Sequence, residues 1–66
     1  MNVSNNIKSM RKQRKLSIRK LAELAGVSSA TVWMIESGRT IPRLRTVQKI
    51  AEALKVKESE LIANSN

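Results

Sequence analysis

The sequence predicts an all-α fold, a compact domain of five short helices, and three observations indicate it. Apolar residues recur at helical spacing in successive segments of the chain. Serines and glycines stand between these segments, where helices begin and end. The chain has 66 residues, and a chain of this length buries only about 60% of its unfolded surface, so its core must be small. We therefore expect a single domain over residues 1–66, with a core from about residue 4 to residue 63.

The first helix is predicted to run from a cap at Ser4 to about Arg14. Ile7 and Met10 lie at helical spacing on one face, and the alkyl stem of Arg14 can extend that face. Leu16 is expected to enter the core from the connection that follows.

The next two helices are predicted to cross near Gly26, in the arrangement of a helix-turn-helix motif. Ser17 can cap the first of them and Ser28 the second, because a serine oxygen accepts from the free N–H groups of a helix start. Gly26 can adopt the positive φ that redirects the chain after a helix, and Gly38 can end the second helix. Ala22 is small enough for the two helix axes to approach closely. The apolar residues that close the pair are Leu21, Ala22, Ala25, Val27, Val32 and Ile35.

A loop and a fourth helix are expected next. Pro42 fixes its own φ and disfavours a helical residue before it, so residues 38–43 are predicted to form the loop. The fourth helix, at about residues 44–54, carries an apolar stripe, and Val56 follows it into the core. The residues of this stripe are Leu44, Val47, Ile50, Ala51 and Leu54.

Charge is unevenly distributed along the chain. Thirteen Lys and Arg against five acidic residues give a net charge of +8. Residues 1–45 carry ten of these cations and two of the anions, whereas residues 46–66 are neutral on balance. A basic surface that flanks a helix pair on both sides is typical of a protein that binds the phosphates of nucleic acid. The alternative is a basic face that is merely solvated.

The last helix is predicted at about residues 58–63, and the tail at residues 64–66 is expected to fray. Leu61 and Ile62 on this helix have two alternative roles. They close the core of one chain, or they seed a symmetric homodimer, since the neutral C-terminal part can approach its own copy without strong repulsion.

The side-chain inventory argues against an enzyme. His, Cys, Asp and Tyr are absent, which removes the usual general base near neutral pH, the thiolate nucleophile and most metal ligands. Ser17 beside Lys20 could in principle form a Ser–Lys pair, but capping explains Ser17 more simply. We expect no catalysis, no cofactor, no metal and no small-molecule ligand.

The chain is expected to be cytoplasmic and to have no membrane partner. No stretch approaches the roughly 20 apolar residues of a membrane span, and residues 1–6 do not resemble a signal peptide. A basic helix over residues 8–20 that lies on a membrane surface is an alternative. However, Arg11 and Ser17 interrupt its apolar face, and it lacks aromatic anchors.

In the order of its motifs, the chain resembles single-domain members of the Cro/C1-type repressor family, also called the xenobiotic-response-element type of helix-turn-helix. The resemblance covers about residues 6–62 and combines a helix pair, a Glu-x-Gly ending, a proline loop and two further helices. The matching residues are Ile7, Met10, Arg11, Leu16, Ser17, Leu21, Ala22, Ala25, Gly26, Val27, Val32, Ile35, Glu36, Gly38, Pro42, Leu44, Val47, Ile50, Ala51, Leu54, Val56 and Leu61.

The resemblance implies a five-helix domain of the lambda-repressor type. It also implies a regulator of transcription, acting as a repressor, that binds double-stranded DNA. Residues 28–37 would be the recognition helix, and the family usually binds an operator with two half-sites as a homodimer. A helix fits the major groove, where each base pair shows a distinct donor and acceptor pattern, and its first turn reaches deepest. The predicted base-contacting residues are Ser28, Ser29, Ala30, Trp33 and Met34.

The chain departs from the family at positions that contact DNA in other family members. The family commonly has Gln at the first position of helix two and Gln or Arg on the outward side of helix three, where this chain has Ile18, Trp33 and Met34. Trp33 and Met34 could contact thymine methyls or a protein partner. Trp33 has a third option, stacking under Arg11 or Arg14. A protein-binding module such as an antitoxin is thus the alternative function, and unspecific condensation of nucleic acid is another.

Phosphate contacts are expected chiefly from the loop after the recognition helix, which lies along the DNA backbone in this fold. Arginine can bind phosphate with two hydrogen bonds, and free N–H groups at the starts of helices two and three can add others. The predicted phosphate-contacting residues are Ser17, Arg19, Thr31, Arg39, Thr40, Arg43, Arg45 and Arg14.

Arg11 and Glu36 match a structural ion pair that joins helices one and three in this family. Such a pair would orient Arg11 and leave its remaining donors for a phosphate. The alternative is two solvated charges of little energetic weight.

Overall fold

A computed structural model of the protein describes residues 3–62. Within these residues the chain forms five α-helices and no strand, which confirms the predicted all-α fold. None of these helices is long and apolar enough to cross a bilayer. The predicted end of the fifth helix at residue 63 and the tail at 64–66 lie outside the described residues. The helices are α1 (Val3–Gln13), α2 (Ile18–Ala25), α3 (Ser29–Glu36), α4 (Leu44–Leu54) and α5 (Glu58–Ile62).

Capping residues explain where α2 and α3 begin. Ser17 and Ser28 have extended backbones, and each hydroxyl accepts from a backbone N–H three residues further on. The distances are 2.9 Å from Lys20 N to Ser17 Oγ and 3.1 Å from Thr31 N to Ser28 Oγ. Between the helices, Gly26 has a φ of 73°, in the left-handed region where a side chain would be strained. The short connection between α2 and α3 therefore follows from three residues that the sequence identifies.

The core is formed where α2 packs on α3 and α4, and where α1 packs on α3 and α5. Ala22 is buried in this core, as its small side chain predicts for a helix crossing. Asn6 Nδ2 donates to the carbonyl oxygen of Leu61 at 2.7 Å and so joins α1 to α5. The fully buried side chains are Ile7, Leu21, Val32, Ile35, Ile50, Leu54 and Leu61.

Three details of the predicted helices are wrong. Ser4 lies inside α1 and does not cap it, because the helix already includes Val3, whose side chain is buried in the core. Arg14 is exposed beyond the end of α1, where its guanidinium donates to the carbonyl oxygen of Met10 at 3.3 Å. Leu44 is 60% exposed and does not belong to the buried stripe, because it stands at the first position of α4, beside the exposed loop.

The C-terminal end of α4 offers a test of local strain. Lys55 adopts the left-handed conformation there, with a φ of 61°. A side chain makes this conformation unfavourable by roughly 1–2 kcal/mol, so Lys55→Gly is expected to raise the free energy of unfolding by about 1 kcal/mol. Urea denaturation followed by circular dichroism measures this change. The matched control is Lys49→Gly at an exposed position inside α4, which should lower stability by about 1 kcal/mol. A loss of stability in both variants would contradict the prediction.

Candidate nucleic-acid interface

The outward face of α3 is exposed over its whole length. Val32 and Ile35 are buried against the rest of the fold, and this fixes the rotation of the helix. The residues that the sequence predicts as base contacts all stand on the opposite, exposed side. Small side chains occupy the start of this side, so a base edge can approach the helix closely. We refer to these residues as the recognition face: Ser28, Ser29, Ala30, Trp33 and Met34.

Trp33 is the largest side chain of the recognition face, and it is 48% exposed. The guanidinium carbon of Arg39 lies 5.0 Å from the centroid of its indole ring, a cation–π distance. The third option for Trp33, stacking under Arg11 or Arg14, is therefore wrong. The guanidinium of Arg11 is bound to Glu36, while Arg14 is exposed beyond the end of α1.

Ile18 stands where the resembling family commonly has a glutamine. Its side chain is half-buried and packs against the core. It also borders a cavity of about 230 Å³ together with Trp33 and the cationic Lys8 and Lys12 of α1. An aliphatic side chain cannot donate a hydrogen bond to a phosphate, so Ile18 cannot make the phosphate contact of the family's glutamine.

The starts of α2 and α3 border one open cavity of about 460 Å³. Backbone N–H groups and the positive end of the helix dipole favour an anion at both starts. Arg19 and Lys20 line this cavity, and so does Glu23, whose carboxylate is paired with Lys20. Ser17 and Ser28 also line it, and their hydroxyls act as caps. Thr31 is half-buried, and its Oγ1 lies 2.8 Å from Ser28 Oγ. Of the predicted phosphate contacts, Ser17 and Arg19 thus stand at a helix start that is suited to an anion.

The predicted phosphate contacts after α3 are all exposed. We refer to them together as the basic loop, which includes Arg45 from the first turn of α4: Arg39, Thr40, Arg43 and Arg45. The loop adjoins the recognition face at two places. Arg39 covers Trp33, and a cavity of about 350 Å³ is lined by Met34 from α3 and by Thr40 and Arg43 from the loop. Recognition face and basic loop therefore form one continuous exposed surface.

A bidentate ion pair joins α1 to α3. Arg11 Nε donates to Glu36 Oε2 at 2.7 Å and Arg11 Nη2 donates to Glu36 Oε1 at 3.0 Å. The side chains of Arg11 and Glu36 are only 10% and 5% exposed, so they are not two solvated charges. Arg11 Nη1 also donates to the carbonyl oxygen of Leu16 at 2.7 Å. The pair therefore fixes the end of α3 on α1, and the contact of the remaining Arg11 donors with a phosphate stays a prediction.

The two residues predicted as a dimer seed differ in exposure. Leu61 is fully buried, so its predicted role at a dimer interface is wrong, and it closes the core of one chain. Ile62 is half-buried and packs against the same core.

Helical spacing did not predict that two large apolar side chains project from the segment around Pro42. Ile41 is 85% exposed and Leu44 is 60% exposed. A signal was present, because Ile41 stands in a polar, cationic loop and not on a helical stripe. These side chains line a shared cavity of about 200 Å³ with four others. We refer to the set as the apolar patch: Val3, Ile41, Pro42, Leu44, Val47 and Ile62.

Comparison with known proteins gives a family match. The model of the helix-turn-helix family HTH_3 matches residues 7–61. The HTH-type transcriptional repressor RghR of Bacillus subtilis (strain 168) is 43% identical over 51 residues, which are 76% of this chain and 38% of the relative. The immunity repressor protein of Bacillus phage phi105 is 39% identical over 62 residues, 94% of this chain and 43% of the relative. The chain thus spans about two fifths of the length of these relatives.

A solved structure shares the fold. The N-terminal DNA-binding domain of SinR from Bacillus subtilis superposes with a TM-score of 0.92 and is 27% identical, over 98% of this chain and 96% of that domain. The similarity agrees with the five-helix fold of lambda-repressor type that the sequence predicts. The names of the similar proteins describe transcriptional regulators and not enzymes, which agrees with the expectation that the chain is not an enzyme.

Proposed function

Because the chain belongs to the helix-turn-helix family HTH_3, we propose that it is a sequence-specific DNA-binding regulator of transcription and acts as a repressor. Its membership confirms the resemblance to Cro/C1-type proteins on which the expected function rests. In the proposed complex, α3 enters the major groove with its first turn foremost. The recognition face meets base edges while the basic loop follows the phosphates.

The observation that carries this proposal is the junction between the recognition face and the basic loop. Contacts to phosphates position a protein on a duplex, whereas contacts to base edges supply sequence specificity. Arg39 belongs to the loop and lies 5.0 Å from the ring of Trp33 on the recognition face. One surface therefore offers phosphate contacts and base contacts from neighbouring side chains.

The chemistry of the recognition face favours half-sites that contain thymine. Ser29 can donate to or accept from several base edges, so it selects weakly on its own. Ala30 and Met34 present apolar groups, which suit the thymine methyl. Trp33 is wide, and its exposed edge can cover a methyl group while Arg39 on its ring face reaches a phosphate.

We further propose that two copies bind one operator with two half-sites. A groove-binding helix of eight residues reads only a few base pairs, so a second copy raises specificity. Two-fold symmetry would place the half-sites about 34 Å apart, which is one turn of DNA.

Base and phosphate contacts are expected to respond differently to substitution. Arg43→Ala should weaken binding to every DNA sequence roughly tenfold, the factor given by about 1.4 kcal/mol, because it removes a phosphate contact. Ser29→Gln should change the preferred sequence towards adenine at one position per half-site, since glutamine donates to and accepts from the edge of adenine. Selection of bound DNA from a random pool, repeated with the wild type and both variants, measures both effects.

A symmetric consensus from the wild type supports the proposal, and an Arg43→Ala variant that returns the same consensus with lower affinity supports the assignment of contacts. Equal binding of all duplexes would instead indicate unspecific condensation. Absence of DNA binding, together with copurification of another protein, would favour a protein-binding module.

A further inference from the structure

Arg39 contacts α3 through both its backbone and its side chain. Its backbone N–H donates to the carbonyl oxygen of Met34 at 2.9 Å, which fixes the residue beside the end of α3. Its guanidinium carbon lies 5.0 Å from the centroid of the Trp33 ring. Although Arg39 belongs to the basic loop, it is thus held by the helix that carries the recognition face.

Cations flank α3 on two sides. On one side, Met34 borders a cavity of about 350 Å³ together with Arg43 of the basic loop. On the other side, Trp33 borders a cavity of about 230 Å³ together with Lys8 and Lys12 of α1. The two cavities share no residue, so Trp33 and Met34 face different neighbours. A helix in the major groove lies between the phosphate backbones of the two strands, and α3 offers cations towards both.

The contact with Trp33 separates Arg39 from the arginine that follows it in the loop. Thr40 and Arg43 border the cavity on the Met34 side, whereas the guanidinium of Arg39 lies over the ring of Trp33. A ring face attracts a guanidinium through the ring quadrupole, so the contact uses none of the N–H donors that a phosphate requires. The indole therefore holds the charge of Arg39 at the side chain that borders α1.

We infer that Trp33 is a positioning residue, which holds Arg39 ready for a phosphate of the strand opposite the one that Arg43 contacts. The inference rests on the proposed function, and the role adds to the base contact proposed for the exposed edge of Trp33. An arginine that is already held in place loses less side-chain freedom when it binds, so the stack favours binding to every DNA sequence.

Ethylation interference tests the assignment strand by strand, because ethylation removes the charge of a single phosphate. On selected operator DNA, Arg39→Ala should lose the interference at phosphates on one strand of each half-site, and Arg43→Ala should lose it on the other strand. Trp33→Leu should lose the same phosphates as Arg39→Ala, although its Arg39 is intact. The matched control is Met34→Leu, an exposed apolar residue on the other side of α3, which should keep the phosphates of Arg39.

Affinities provide a second measurement. For DNA with one half-site, Trp33→Leu should bind roughly threefold more weakly than the wild type, the effect expected of an exposed cation–π contact. In the Arg39→Ala background, Trp33→Leu should weaken phosphate-dependent binding less than in the wild type, because the two residues act as a unit. Trp33→Phe keeps a ring face and should restore the interference pattern of the wild type. Melting curves followed by circular dichroism verify that each variant is folded.

The outcomes separate the inference from the proposed function. If the wild type selects a consensus but Trp33→Leu keeps the phosphates of Arg39, the inference is overturned and the function stands. Loss of the same strand by Arg39→Ala and Arg43→Ala also overturns it. A wild type that binds all duplexes equally overturns the function, and the strand assignment falls with it.

Discussion

Glu36→Ala is expected to remove most of the stability of the domain. The variant leaves the guanidinium of Arg11 about 90% buried without its carboxylate partner, and breaking a buried pair in this way generally costs about 3–5 kcal/mol. Native proteins are stable by only about 5–15 kcal/mol, and a domain of this size lies at the low end. Urea denaturation followed by circular dichroism should therefore show a variant that is partly unfolded without denaturant.

Two control variants test whether the loss of stability in Glu36→Ala depends on the burial of the ion pair. Glu23→Ala removes the carboxylate of an exposed pair, in which Lys20 Nζ lies 3.2 Å from Glu23 Oε1, and it should cost less than about 1 kcal/mol. Arg11→Met combined with Glu36→Leu removes both charges and should be more stable than Glu36→Ala, because no buried charge stays unpaired. Equal losses for Glu36→Ala and Glu23→Ala would refute a structural role for the buried pair.

The affinity for DNA is expected to fall very steeply with salt concentration. Five cations per copy are assigned to phosphates, and two copies then release about ten counterions. The logarithm of the association constant should change with the logarithm of salt concentration with a slope of about −9. Between 50 and 200 mM salt this slope corresponds to a loss of roughly 10⁵-fold in affinity. The five cations are Arg14, Arg19, Arg39, Arg43 and Arg45.

Fluorescence anisotropy with labelled operator DNA measures the slope. Arg45→Ala should make it shallower by about 1.8, one contact in each of two copies. Lys57→Ala, which removes an exposed cation from the neutral C-terminal part, serves as control and should leave the slope unchanged. A wild-type slope shallower than about −4 would show that fewer cations touch phosphates, or that only one copy binds.

The sequence predicted the helices well because their ends depend on local chemistry. Ser17 and Ser28 cap α2 and α3 through their own side chains, and Gly26 turns the chain through its own φ. The prediction that Ser4 caps α1 was wrong because a serine can either cap a helix or lie inside it. The helix extends past Ser4 to Val3, whose side chain is buried.

The candidate site was less predictable, because its contacts join residues from different elements. Helical spacing identified the outward side of α3 but could not show which cation covers Trp33. Spacing allows Arg11 to cover the ring of Trp33, but the guanidinium of Arg11 is paired with Glu36. Arg39 from the loop covers the ring instead. Likewise, spacing alone does not distinguish the buried Leu61 from an exposed leucine, since both lie on amphipathic helices.

The hydrogen bond from Asn6 to Leu61 joins two residues that are 55 positions apart, in the first and the last helix of the fold. During synthesis on the ribosome, α1 therefore stays without its neighbour α5 until residues 58–62 have been translated. A nascent chain can already carry the recognition face and the basic loop, but it lacks a closed core to hold them in place. The proposed contact with DNA therefore requires translation to extend through α5.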